Sequence, residues 1–141
     1  MTSVTKIIKS SAKYDNGTRT YLKRKWDSSL PSLTILMYKP STADALINDK
    51  TITSCIKIAE NNGYGGITVY NIPNIPNIPP NIPIVLAWGM KINKKKSKDI
   101  IDKLFLSHEL LCFVQLKNGS PGLPTRLKHK TAIKPYFIFE N

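Results

Sequence analysis

One tripeptide is written four times between residues 71 and 83, as Asn-Ile-Pro, Asn-Ile-Pro, Asn-Ile-Pro, Pro80 and Asn-Ile-Pro. Proline locks φ and supplies no backbone N–H, so a proline at every third position forbids an α-helix and an interior strand there. The stretch is expected to be extended polyproline II or loop, and regular structure must come from its two sides. The whole chain, residues 1–141, is expected to be a single α/β domain with 71–83 as a loop within it.

On the N-terminal side, Asn16-Gly17 sits between two alternating segments within Ser11 to Leu22. A type I′ turn needs positive φ at both central residues, which Asn and Gly tolerate, so the first 27 residues read as a β-hairpin. Ser32 to Tyr38 is an apolar run between Pro31 and Pro40, as expected of a strand buried on both faces. Ile52, Cys55, Ile56 and Ala59 then recur at helical spacing between Asp49 and Asn62, with Asp49 or Thr51 as N-cap and Gly63 as the stop. Gly66 to Tyr70 completes a strand, helix, strand unit.

Beyond the repeat, Ile84 to Trp88 is a further buried strand stopped by Gly89. Ser97 is placed to cap a helix running to about Ser107, with Ile100, Ile101, Leu104 and Phe105 on one face. Leu110 to Leu116 is another strand, and Tyr136 to Phe139 is either an edge strand or an apolar plug. The expected architecture is a small three-layer α/β sandwich with a mostly parallel sheet plus the N-terminal hairpin.

Charge narrows the partners. There are 21 Lys+Arg against 9 Asp+Glu, a net charge of +12, which favours phosphate-bearing partners through counterion release. Eighteen of those cations are Lys and only three are Arg, in a chain also rich in Ile and Asn, which is the bias an AT-rich genome writes. Six cations call for a partner more than the total does: Arg19, Lys23, Arg24, Lys25, Lys39 and Arg126, expected near one edge or crevice. Tyr21 and Trp26 interleave with Lys23, Arg24 and Lys25, a combination suited to tracking a backbone while stacking on bases.

No run of 18 apolar residues occurs and Met1-Thr-Ser-Val-Thr-Lys lacks a signal core, so a soluble intracellular protein that is not secreted and has no membrane partner is expected. Cys55 and Cys112 are expected to be reduced and buried. Neither they nor His108 and His129 fall at metal-ligand spacing, so neither metal nor cofactor is expected. Walker and Gly-x-Gly-x-x-Gly loops are absent, and Ser41 lacks the Gly-x-Ser-x-Gly elbow of a serine hydrolase.

Open α/β sheets bind ligands beyond the carboxyl ends of their parallel strands. The segments there are Lys39 to Asp44, Asn71, Trp88-Gly89 and Gly119 to Pro124. Each is also ordinary turn chemistry, and Asp44 and Asp49 are ordinary capping residues as well as candidate acids.

The order Arg19-Thr-Tyr21-Leu22-x-Arg24-x-Trp26-Asp27, Pro40-Ser41-Thr42-Ala43-Asp44, Asn48-Asp49-x-Thr51-Ile52, Gly63-Tyr64-Gly65-Gly66, Asn71, Ala87-Trp88-Gly89 and Gly119-x-Pro121 with Pro124 resembles the domain-of-unknown-function family numbered 1643. That family in turn looks like a remote relative of the uracil-DNA glycosylase superfamily. The resemblance implies a glycosylase-like α/β fold with a pocket for a base flipped out of the stack. It implies a water-positioning group in the loop from Pro40 to Asp44, with Ser41 at the nucleic acid, and Asn71 reading a base amide or carbonyl. The loop from Gly119 to Pro124 would clamp phosphate or the leaving base. Lys39 stands where the family writes Asn, and Leu123 where it writes His. Those losses remove groups for orienting water or stabilising an anion, and imply a degenerate, catalytically impaired member.

Three functions follow as expectations. The first is a nucleic-acid-binding glycosylase-like domain, DNA more than RNA, using Arg19, Lys23, Arg24, Lys25, Trp26, Lys39, Ser41, Asn71 and Arg126. Another is a docking component of a larger nucleoprotein assembly, with 71–83 as the docking strand. The last is an active nucleobase or nucleotide hydrolase using Asp44 or Asp49.

Overall fold

The computed structural model describes residues 6–15, 18–38, 49–72, 74–90 and 92–138. Along them run β1 (Lys9–Asp15), β2 (Thr18–Lys25), β3 (Ser32–Met37), α1 (Lys50–Asn61), β4 (Gly66–Asn71), β5 (Ile84–Leu86), α2 (Lys94–Phe105), β6 (Leu110–Cys112) and β7 (Lys134–Pro135). The strands form one sheet in the order β1-β2-β4-β3-β5-β6-β7.

That sheet is mixed, which corrects the expectation of mostly parallel strands. β4, β3, β5 and β6 are parallel neighbours. The pairs β1–β2, β2–β4 and β6–β7 are antiparallel and hold the larger share of paired residues. A short turn can join only antiparallel strands, so the hairpin enters the sheet as a two-stranded block and sets that balance.

The central strands alternate their side chains between two cores. Leu33, Ile35 and Met37 of β3 join Ile67 and Val69 of β4 against Ile52, Cys55, Ile56, Ile58 and Ala59 of α1. Leu36 of β3 joins Ile84 and Leu86 of β5 against Ile101 and Leu104 of α2. Because successive strand residues point to opposite faces, the two helices cover opposite sides and the domain has three layers. No helix among the described residues is long and apolar enough to cross a membrane.

Helix starts follow capping chemistry. Asp49, not Thr51, caps α1 by accepting from the Ile52 N–H at 2.9 Å, and Gly63 with φ +88° takes up the left-handed turn after Asn62. α2 starts earlier than expected because Asn93 supplies the cap, accepting from the Lys96 N–H at 2.8 Å. Ser97 instead accepts the Trp88 indole N–H at 3.1 Å.

Two strands stop short of expectation. β5 ends at Leu86, and Gly89, at φ +66°, turns the chain so that its N–H donates to the Pro121 carbonyl at 2.7 Å. β6 ends at Cys112 because Val114 and Leu116 bond locally: Leu116 N–H donates to Ser120 O and Gly122 N–H to Val114 O, both at 2.8 Å. The tail strand is Lys134–Pro135, upstream of the expected Tyr136 to Phe139.

The repeat carries no regular structure over residues 74–79, as expected. Ile72 lies in the α2-side core, and Ile75 and Ile78 pack against it, while Asn74, Pro76, Asn77 and Pro79 are exposed. Polyproline II turns once every three residues, so the spacing of Ile72, Ile75 and Ile78 suits them to one edge, and the inserted Pro80 puts Ile82 out of that phase. His108 fastens the far end, its Nδ1 lying 2.9 Å from the Ile82 carbonyl oxygen.

Candidate nucleic-acid interface

Of the six cations singled out by sequence, the five among the described residues do not gather in one place. Arg19 and Arg24 are buried, each 2% exposed, which takes both off the open surface. Arg24 shares the α1-side face with Leu22, and its Nη1 donates to the Lys23 carbonyl at 3.0 Å. Arg126 is exposed next to Leu127, which packs on the α1-side core. Lys39, Ser41 and Asp44 lie outside the described residues. Trp26 is also a packing residue, half-buried against the α1-side core with its indole N–H donating to Tyr64 O at 3.1 Å.

What remains is brought together by strand register. Residues directly opposite in a ladder share a face. Lys13 opposes Tyr21, Ser11 opposes Lys23 and Lys9 opposes Lys25 across β1–β2. Across β2–β4, Tyr21 opposes Tyr70, Lys23 opposes Thr68 and Lys25 opposes Gly66. The resulting face carries Lys9, Lys13, Lys23 and Lys25 around Tyr21 and Tyr70, with no acidic residue among these positions. It lies on the α2 side of the sheet, yet no residue of β1 or β2 belongs to the core under α2. Lys9, Lys13 and Lys23 are exposed, and Tyr21, Lys25, Thr68 and Tyr70 are half-buried.

The aromatic pair sets the local chemistry. The Tyr21 and Tyr70 rings sit 6.1 Å apart and tilted by 49°. The Lys13 and Lys23 ammoniums lie 5.6 and 5.4 Å from the Tyr21 ring centroid, within reach of its negative face. Partial burial, and then the neighbouring Tyr21, push the Tyr70 hydroxyl above its ordinary pKa, so it is neutral at physiological pH and repels no phosphate.

A bulge separates this face from a second polar cluster. Lys13 opposes Tyr21, but Tyr14 opposes Arg19, which leaves Thr20 without an opposite number. Strict alternation would put Arg19 beside Tyr21 and Lys23; the extra residue turns it over. Its Nε instead donates to Asn71 Oδ1 at 3.4 Å, at the carboxyl end of β4. Burial lowers the Arg19 pKa, while Asp49 first and Tyr14 second push it back up. Asn71 is 1% exposed, and its Nδ2 makes no hydrogen bond among the described residues. The guanidinium fixes the amide orientation, since only the carbonyl oxygen can accept from it.

This cluster stands one strand away from the point between β3 and β5 where the connections leave to opposite sides of the sheet, the place where open α/β sheets form ligand crevices. Gly89 and the loop at Pro121 meet at the same end of the sheet. A groove of about 570 Å³ lies between α2 and the tail, lined by Lys94, Lys98, Gly119 and Ser120. Neither Asn71 nor Leu123 lines it.

Among the described residues no three His, Cys, Asp or Glu side chains come together as metal ligands. Both cysteines are buried thiols, and desolvation pushes both pKa values up, which leaves them unreactive. Lys9, Lys13 and Tyr70 are members of the lysine face that the sequence reading missed. Their signal is the period-two spacing Lys9-x-Ser11-x-Lys13, legible only once the hairpin register is known.

No curated protein and no solved structure matches the chain. Residues 19–82, from the bulged strand through α1 to the repeat, match the family described as Protein of unknown function (DUF1643).

Proposed function

We propose that this domain binds nucleic acid, docking it on the lysine face of β1, β2 and β4. The observation that carries the reading is the register: four lysines and two tyrosines share one face, with no acid at these positions, and among the described residues only Tyr70 of that set packs against the core under α2. Clustered ammoniums gain affinity by releasing counterions from phosphates, and interleaved aromatic rings add sequence-tolerant contact with bases. Titration of a labelled DNA oligonucleotide tests it. Affinity falls steeply between low and moderate salt; affinity indifferent to salt rejects the reading.

The finer reading is a glycosylase-like domain with impaired turnover. Three layers and an unmet buried donor at Asn71, near the carboxyl ends of the parallel strands, support it, because an amide N–H₂ can hold a base carbonyl. Asp49 is the remaining described acid there, and its Oδ1 already caps α1. An active hydrolase through Asp49 is thereby less favoured. Release of base from DNA carrying modified bases, lost in Asp49→Asn, would reverse that ranking.

A further inference from the structure

We infer that the lysine face selects single-stranded over duplex nucleic acid, with Tyr21 as the stacking platform. The inference rests on the docking reading above and names the form of nucleic acid that the same surface takes. Three features support it.

A duplex buries the faces of its bases, so only an unpaired base has a face to offer to a ring. Tyr21 stands in the middle of the lysine face, half-exposed and tilted against Tyr70 rather than stacked on it. Its ring is occupied at rest by the Lys13 and Lys23 ammoniums. An exposed cation–π contact is weaker than a stacked base, so an arriving base displaces the ammoniums. Each displaced cation is then a short reach from the phosphate next to that base.

Spacing is compatible with this. Lys23 and Lys25 lie two residues apart on one strand, about 7 Å along it. A drawn-out single strand can lay one phosphate against each lysine of such a row and turn the base between them toward Tyr21, which a paired base cannot do. Between the lysines, Ser11 and Thr68 flank Lys23 and offer hydroxyls to base edges, which a duplex keeps paired.

The test is binding of the full chain to one sequence offered as single-stranded DNA, as single-stranded RNA and as a DNA duplex, at one salt concentration. Single strands, of either sugar, bind about 10-fold more tightly than the duplex, the lower range of one stacked base. Tyr21→Leu, checked by its melting temperature to be folded, removes most of that preference and leaves duplex affinity within about 2-fold, since the charges are intact. Lys130→Gln, far from the face in sequence and exposed, changes neither. Duplex affinity equal to or above that of the single strands overturns the inference, as does a Tyr21→Leu chain that loses both in equal measure. A chain that binds none of the three overturns the docking reading itself.

Discussion

The two ends of the sheet are built by different rules. At the parallel end, β5 and β6 are buried at every position and β3 at all but its first, so both faces are core and the sequence is a continuous apolar run. At the hairpin end, Leu22 and Arg24 of β2 point into the α1-side core while Tyr21, Lys23 and Lys25 point away from it. The parallel end spends its side chains on stability and leaves little surface. Charge at the hairpin end is instead sorted by alternation onto one face, where Lys9, Lys13, Lys23 and Lys25 stand together.

Substitution should separate the two ends in energy. Leu86→Ala removes a fully buried side chain at the parallel end and costs about 3 kcal/mol in chemical denaturation. Lys23→Gln on the open face shifts stability by less than about 0.5 kcal/mol. Similar costs at the two sites would break the comparison.

At the seam between the ends, Gly65 is pressed against β2: Trp26 and Asp27 both donate to its carbonyl, at 2.9 and 3.0 Å. A Cβ there would fall 2.0 Å from the Asp27 carbonyl oxygen, so Gly65→Ala costs about 2.5 kcal/mol as the backbone shifts. An unchanged melting temperature would show that β2 is not held this closely.

Asn71→Ala withdraws the acceptor from the buried Arg19 Nε and costs about 1.5 kcal/mol. A stabilising effect would mean that the amide is itself the larger burden, as its unmet Nδ2 allows. Smallest of all is the Lys98 to Asp102 ion pair, at 2.7 Å but with side chains 74% and 52% exposed. Lys98→Gln moves stability by less than about 0.5 kcal/mol, and salt erases even that.

Much of the scaffold is legible in sequence. The helix at Ile52 to Ala59, its Asp49 cap, the buried strands and the irregular repeat all follow from periodicity and capping. The lysine face is not, and the reason is the bulge. An Asn16-Gly17 turn alone would pair Lys13 with Thr20; the extra residue at Thr20 instead brings Lys13 opposite Tyr21 and sends Arg19 inward. One unpaired residue thus decides which cations are surface and which are buried. Arg24 misleads for a related reason: its charge suggests a surface residue, but its position two residues after Leu22 puts it on the core face. The mixed sheet was hidden too, since pairing of β2 with β4 is a long-range choice that no local pattern records.

The most direct test of the account is the salt dependence of single-stranded DNA binding, compared between the natural chain and a chain with Lys9, Lys13, Lys23 and Lys25 all replaced by Gln. Four phosphate contacts contribute about 0.7 each to the slope of log K against log salt, so the substituted chain should show a slope shallower by about 3. Equal slopes, with the four lysines gone, would contradict the claim that this face is where nucleic acid docks.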